Sequence, residues 1–343
     1  MVSSVATIGV LDGVHIGHAA LVRGAREMAD RLSIKRVLAF SFDPHPLAAL
    51  RAGSAPARLT TWAQRERFLR EAGADEVVRL SPTPDLLALE PAEFLAGIVR
   101  EHGVRGVVEG PDFRFGHRRA GDVELLRWLG PRLGVEVRVV EPVEAVLNDH
   151  SAVRVSSSLT RWLIEQGRVA DAAVLLGRAY EVDAVVERGD RRGRTIGFPT
   201  ANLKTEQLLP ADAVYGAEAM LPSGRVVRAA VNVGQRPTFA GAPPTLEAHL
   251  LLDSGSIEHR VSRAWSPVEG LPEYGWPLRL RFSRWLRDQT RFSSLEALTA
   301  QLEIDCRRVG GLRVDAWRTG SGELGAGDSI HVPAASVVGS GNA

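Results

Sequence analysis

Residues 9–18 read GVLDGVHIGH. They follow the apolar run Val5-Ala6-Thr7-Ile8 and lead into a stretch where Leu21, Ala25, Met28, Ala29 and Leu32 recur at helical spacing. The decamer is therefore the turn of a strand–helix unit. Gly9, Gly13 and Gly17 let the backbone approach a ligand closely, and a helix opening near Ile16 or Gly17 offers free N–H groups and the positive end of its dipole. That combination attracts phosphate. His15 and His18 share a face if the helix has begun, and two imidazoles there can donate to phosphate oxygens as charge builds on them. Neither a Walker loop nor G-x-G-x-x-G spacing is present, and no third ligand for a metal lies nearby. Taken alone, the stretch reads first as a glycine turn carrying two surface histidines.

Outward from this turn, the strand–helix rhythm repeats. Val37-Leu38-Ala39-Phe40, residues 76–80, residues 106–109 and residues 135–140 read as further strands, and Phe94, Ile98 and Val99 mark an intervening helix. The expected fold of this half is a Rossmann-like, doubly wound α/β domain over residues 1–165, with a parallel sheet binding its ligand at the carboxyl ends of the strands. A helical bridge follows, Leu159 to Gln166 and Val169 to Leu176, broken at Gly167, with residues 166–177 read as a linker. Beyond it, strand-like runs at Tyr180 to Val186, Arg225 to Val233, Leu246 to Leu252 and Leu278 to Phe282 are punctuated by Gly and Pro. No long helix is expected there before Leu295 to Cys306. Residues 178–310 thus read as a small antiparallel β-barrel with a C-terminal helix, and residues 320–343 as a flexible tail.

Composition narrows the function classes. The chain has 343 residues, enough for two cores, and its 45% hydrophobic and 24% charged residues with a net charge of +1 exclude a polyelectrolyte. Any anion must be held by a local site. Arginine is balanced by Asp and Glu, and no basic stretch is interleaved with aromatics, so no nucleic-acid partner is expected. Cys306 is the single cysteine, which excludes an internal disulfide and suits a reducing compartment. No run approaches the roughly 20 apolar residues of a membrane span, and the N-terminus lacks a signal-peptide layout. A cytoplasmic protein without membrane contact is expected.

More of the ligand edge is legible. Phe42-Asp43-Pro44-His45-Pro46 follows the second strand as a loop stiffened by its prolines. Gly110-Pro111-Asp112-Phe113-Arg114-Phe115-Gly116 follows the fourth, with Arg119, Gly121 and Asp122 soon after. Ser156-Ser157-Ser158 opens the helix that contains Arg161; a serine run there is an N-cap by default, and an arginine placed in the first turn opposes the helix dipole unless an anion sits between them. In order, these stretches resemble the motifs GxFDGxHxGH, F-x-P-H-P, G-x-N/D-F-x-F-G with R-x-G-D, and S-S-T/S-x-x-R. They are the motifs of the adenylyltransferase half of the bacterial bifunctional riboflavin kinase/FAD synthetases. The resemblance covers residues 5–165. Leu11 stands for the family's phenylalanine, and Thr160 for a usually aliphatic residue.

In the second half, GRTIGFPTANL spans residues 193–203. Pro199 biases Phe198 to an extended conformation, and in an extended Thr200-Ala201-Asn202 the first and third side chains point the same way, a pair of hard oxygen donors suited to Mg²⁺. Read blandly, the same stretch is a turn-initiated loop. Residues 246–250 alternate so that Glu247 and His249 share a polar face, and a carboxylate there could accept a proton from a substrate hydroxyl. GRxxGFPTAN, then N-V-G-x-R-P-T-F at 232–239, T-x-E-x-H-L-L at 245–251, L-R-x-x-x-x-F and L-x-x-Q-x-x-x-D resemble the flavokinase domain over residues 178–306.

The combined resemblance implies a bifunctional enzyme that phosphorylates riboflavin to FMN and adenylylates FMN to FAD, with ATP as co-substrate and Mg²⁺ as metal. It implies catalytic roles for Glu247, His15, His18 and Arg161. ATP and its phosphates fall to Gly9, Gly13, Gly17, Asp112, Ser156, Ser157, Gly193, Gly197 and Pro199. The flavin falls to Phe42, Pro44, His45, Pro46, Phe113, Tyr274 and Arg287, and the metal to Thr200 and Asn202. The partners implied are small molecules, and a homo-oligomer is compatible with the sequence. Departures concentrate in the second half: Asp183 and Ala213 stand where glycine is usual, Pro272-Glu273-Tyr274-Gly275 replaces D-L-Y-G, and residues 254–271 form an extended segment. Alternatives are an enzyme with one competent half, the adenylyltransferase being the less altered, or a non-catalytic flavin- or nucleotide-binding sensor. Retention of a general base argues against the sensor.

Overall fold

In the computed structural model, which describes residues 2–51, 53–189, 191–234, 245–252 and 268–312, the β-branched runs of the first half become strands of one parallel sheet. The elements in order are β1 (Ser4–Gly9), α1 (Ile16–Arg31), β2 (Arg36–Phe42), α2 (Pro46–Leu50), α3 (Trp62–Glu71) and β3 (Glu76–Leu80). They continue as α4 (Pro84–Ala88), α5 (Pro91–His102), β4 (Val104–Glu109), α6 (Val123–Arg132) and β5 (Glu136–Val139). The strand order β3-β2-β1-β4-β5 means the winding reverses between β1 and β4. A doubly wound sheet opens its ligand crevice at such a reversal. The decamer leaves β1 at that point, and Gly13 takes φ 83°, a conformation that favours glycine.

A hairpin of β6 (Glu144–Val146) and β7 (Ala152–Arg154) leads to α7 (Ser157–Glu165) and α8 (Val169–Leu176). Then come β8 (Tyr180–Glu187), the short α9 (Arg192–Thr195), β9 (Ala201–Lys204), β10 (Ala213–Met220), β11 (Val226–Gly234), β12 (Thr245–Leu251), β13 (Pro277–Asp288) and α10 (Leu295–Gly310). The six strands close as β10-β11-β12-β9-β8-β13 with antiparallel pairing throughout. Inward-facing Val182, Tyr215, Val231, Leu246, Leu280 and Phe282 fill the barrel. The outer faces of β10 and β11 meet α10, where Val214, Leu286, Cys306 and Val309 form a smaller core.

The helical bridge is packed rather than extended. Val169, Ala172, Leu175 and Leu176 of α8, with Leu163 and Ile164 of α7, join the barrel residues and Leu59 of the first half in one apolar cluster. Gln207 adds polar links across the same boundary, donating to Leu59 O at 2.8 Å and to Gln64 Oε1 at 2.9 Å. The tail at 320–343 lies outside the described residues, as does most of the 254–271 segment.

Candidate active sites

His15 is the N-cap of α1. Its Nδ1 accepts the His18 backbone N–H at 3.2 Å, so in the neutral ring the hydrogen sits on Nε2. The two imidazoles stack with centroids 3.6 Å apart. Burial and the nearby Arg178 charge lower the His15 pKa to about 4, and burial together with His15 pushes His18 well below its ordinary value. Both rings are neutral at pH 7 and act as hydrogen-bond partners rather than as charges. The Nδ1 atom of His18 is buried and makes no hydrogen bond among the described residues. Gly17 packs directly under the pair: a Cβ there would lie 3.0 Å from His15 Nδ1.

Behind the histidines lies a buried acid that the motif reading quoted but gave no role. The carboxylate of Asp12 accepts from the N–H groups of Leu59 and Thr60, each at 3.0 Å, and from Thr60 Oγ1 at 2.8 Å. It also pairs with Arg65 at 3.3 Å and Arg161 at 2.6 Å. Burial alone would raise its pKa; Arg65, the Leu59 N–H and Arg161 outweigh burial and hold it below the ordinary carboxylate range. Arg65, from α3, further donates to Val10 O at 3.1 Å and Phe42 O at 2.8 Å, tying together the ends of β1 and β2. No spacing signal points to Arg65, because its partners come from three separate segments.

Arg161 requires a correction. Ser156 caps α7 through Leu159 N–H at 3.2 Å, so Arg161 falls at the fifth helical position rather than in the first turn. The anion opposite it is Asp12, and its Nε donates to Ala57 O at 2.7 Å. The hydroxyl of Ser157 donates to Asp12 O at 2.8 Å. The oxygens of Ser156 and Ser157 are thus engaged within the protein, and what α7 presents is its N-terminus. Thr160 is accommodated by donating to Ser156 O at 2.9 Å, and Leu11 is buried.

The remaining edge residues spread around this cluster. His45 caps α2 with Nδ1 toward Leu47 N–H at 3.1 Å; partial burial and the charge of Arg161 lower its pKa. Phe42 is half-buried against the core, Pro44 is exposed and Pro46 begins α2. Between them Asp43 is buried and bonded to Arg79 and, at 3.2 Å, to Arg58. Phe113 stacks on Phe115 at 5.2 Å. Asp112 is exposed and pairs with Arg154 on β7 rather than with the histidine loop.

In the barrel, strand register supplies what spacing could not. Glu247 on β12 lies directly opposite Asn202 on β9 and opposite Asn232 on β11, so the three side chains share one face. Glu247 and Asn232 line a cavity of about 370 Å³ beside α10, together with Thr200, His249, Arg287 and Gln289. The volume falls in the range of small-molecule sites. His249 Nδ1 lies 2.8 Å from Pro199 O, which can only accept, so Nδ1 carries the ring hydrogen. Arg287 is held by both carboxylate oxygens of the buried Asp305, at 2.8 to 3.1 Å, and Gln301 supports Asp305 at 2.9 Å. Asn232 and Asp305 therefore join the site. Gly193 accepts from Phe198 N–H at 2.8 Å and closes the loop that also holds Gly197 and Pro199.

A second cleft adjoins at Thr200. It is lined by Asn202, Arg191, Arg194, Glu273, Tyr274 and Trp276. Tyr274, expected with Arg287 beside a flavin, lies here instead; its hydroxyl donates to Glu273 at 2.8 Å, and Glu273 accepts from Arg194 at 2.6 Å. Asp183, the other acidic departure, pairs with Arg279 at 2.5 Å on the barrel wall. The Asn202 side chain nests against Gly189, where a Cβ would fall 1.9 Å from Nδ2. Thr200 and Asn202 both line this cleft, and a hydroxyl with an amide oxygen is a donor pair that fits a hard cation sharing its shell with phosphate and water.

Residues 2–158 match the family model described as FAD synthetase, and residues 176–311 the model described as riboflavin kinase. A protein of Escherichia coli strain K12 named bifunctional riboflavin kinase/FMN adenylyltransferase is 33% identical over 303 residues, 88% of this chain and 90% of that one. A Bacillus subtilis protein of the same name is 29% identical over 306 residues, with the same shares of each chain. A solved structure described as a macrolide-efflux protein from Streptococcus pneumoniae has a TM-score of 0.76 at 27% identity, covering 91% of this chain and 95% of that one. Among the described residues no helix is long and apolar enough to cross a membrane. Two matched models in tandem and a full-length relative at this identity place the chain in the bifunctional riboflavin kinase/FMN adenylyltransferase family.

Proposed function

We propose that the barrel transfers the γ-phosphoryl group of ATP to the ribityl 5′-hydroxyl of riboflavin, and that the sheet half joins the FMN so formed to the AMP portion of a second ATP, releasing pyrophosphate. The observation that carries this reading is the register that sets Glu247 opposite Asn232 on the wall of a ligand-sized cavity and opposite Asn202, which lines the adjoining cleft with Thr200. In the barrel, Glu247 accepts the hydroxyl proton as the oxygen attacks the γ-phosphorus and ADP departs. Thr200 and Asn202 would hold Mg²⁺, which neutralises charge on the transferring phosphate. Arg287, kept rigid by Asp305, orients the flavin.

In the sheet half, a phosphate oxygen of FMN attacks the α-phosphorus of ATP, and the bond to the bridging oxygen of pyrophosphate breaks. His15 donates from Nε2, and His18 offers a ring nitrogen beside it. The N-termini of α1 and α7 add N–H groups, and Arg161 adds the positive charge the neutral imidazoles lack. The acceleration comes from placement and electrostatics, with no covalent enzyme intermediate. Pro44, His45, Pro46, Phe42 and Phe113 border the flavin of this half, and Asp112 contacts a ligand polar group from the rim. The division of labour follows residues 1–165 and 178–310, with riboflavin, FMN and ATP as partners.

Chromatography of the flavins formed from riboflavin, ATP and Mg²⁺ tests the reading. The unmodified chain yields FMN and FAD. Glu247→Gln stops FMN formation and leaves FAD formation from supplied FMN within about twofold, while His18→Ala does the reverse. Equal loss of both activities in either variant contradicts two separate sites.

A further inference from the structure

Arg178 stands between α8 and β8, at the start of the barrel half, yet its side chain reaches back into the sheet half. Nη2 donates to Gly13 O at 2.6 Å, and Nη1 donates to Val14 O at 2.8 Å and to Leu176 O at 3.0 Å. The guanidinium carbon lies 3.4 Å from the centroid of the Phe68 ring on α3. Burial lowers the Arg178 pKa to about 10, partly offset by Glu181, so the group stays charged at neutral pH.

The two carbonyls it grips belong to an unusual turn. Gly13 has φ 83° and Val14 has φ 40°. A β-branched residue in the left-handed region is strained and persists only where surrounding contacts over-determine it. The turn also depends on Thr60, whose hydroxyl accepts Gly13 N–H at 3.2 Å, and on Leu11 O, which accepts Val14 N–H at 3.3 Å. His15 comes next and caps α1. Whatever fixes the Gly13-Val14 turn therefore fixes the direction in which the imidazole pair points.

Building on the functional reading above, we infer that Arg178 is a positioning residue for adenylyl transfer. From the barrel half it locks the Gly13-Val14 carbonyls, so that the His15/His18 loop is completed only when the second half is folded against the first. Arg178 touches none of the residues assigned to the barrel's own chemistry, and its effect is confined to one reaction.

The test uses the full chain, assayed well below its melting temperature. Arg178→Met keeps the aliphatic stem and removes the donors; kcat for FAD formation from FMN falls at least tenfold, more than the KM for ATP changes, while FMN formation from riboflavin stays within about twofold. Arg178→Lys restores part of the lost kcat. Phe68→Leu, which removes the stacking surface and keeps the carbonyl bonds, leaves FAD formation within about threefold. An Arg178→Met chain that makes FAD at the unmodified rate, or loses both activities together, overturns the inference. An unmodified chain that makes no FAD overturns the functional reading and the inference with it.

Discussion

Asp12 and His15 occupy the same buried cluster but answer to acid in different windows. The Asp12 carboxyl is held below its ordinary value, so its stabilising contribution is present above about pH 4 and is lost only as the pH falls through its folded value. His15 titrates near 4 in the fold against about 6.5 in an open chain, so the unfolded state takes up a proton first and stability declines as pH drops from about 6.5 toward 4. One such group is worth on the order of 2 kcal/mol by pH 5. Denaturant unfolding at pH 7 and pH 5 should therefore show a lower midpoint at pH 5, and His15→Asn should flatten the difference; identical slopes in both proteins would contradict this assignment. At this scale the sequence was informative about residues whose neighbours are close in the chain. His15, His18 and Glu247 were singled out by spacing and alternation together with the family resemblance, not by spacing alone. Asp12, Arg65, Asn232 and Asp305 could not be, because their partners lie tens of residues away. Arg161 was expected to face an anion from the first turn; it lies one position beyond that turn and pairs with Asp12 of the chain itself.

Elements tell a similar story with a different cause. β1, β2, β3, β4 and β5 fall where Val- and Ile-containing runs stand between turns, and α1, α7, α8 and α10 where apolar residues recur at helical spacing. Missed were α3, whose sequence WAQRERFLRE is mostly polar, and β10, whose AVYGAEAM is rich in Ala and Gly. β10 is a strand because it is paired on both sides, with β11 and β13, and tertiary pairing overrides its weak propensity. β9 begins at Ala201 within the stretch read as extended, and it pairs with β12 and β8. The β1–α1 junction is the element most exposed to backbone change. At Gly13 a Cβ would sit 2.8 Å from Leu59 Cδ1 on a backbone with φ 83°. Gly13→Ala should therefore destabilise the chain by more than about 1 kcal/mol and cut FAD formation at least tenfold, with FMN formation preserved. A Gly13→Ala chain with normal FAD synthesis would show that this turn does not govern the histidines.

The whole molecule behaves as more than two modules joined by a tether. Leu59, Leu163, Ile164, Leu175 and Leu176 share an apolar cluster with the barrel interior, and Gln207 and Arg178 add hydrogen bonds over the same boundary. A shared core of this kind couples the halves, so calorimetry of the intact chain should give a single cooperative transition. Two well-separated transitions would show that the halves melt independently. Composition and strand rhythm were enough to anticipate an α/β half followed by a barrel. Their joint core was not legible, because an amphipathic helix such as α8 announces that it needs an apolar surface but not which one. Two of the barrel's departures are satisfied within the wall that carries them: Glu273 is taken up by Arg194 and Tyr274, and Asp183 by Arg279.

Closure of the six barrel strands has a practical meaning for handling the protein. Among the described residues each barrel strand is hydrogen-bonded to a neighbour on both sides over part of its length, which leaves little strand margin on which another chain's backbone could zip. The sheet of the first half keeps two margins, but they are only five and four residues long, at β3 and β5. The described residues therefore offer little template for fibrous, strand-to-strand growth in concentrated or ageing stocks.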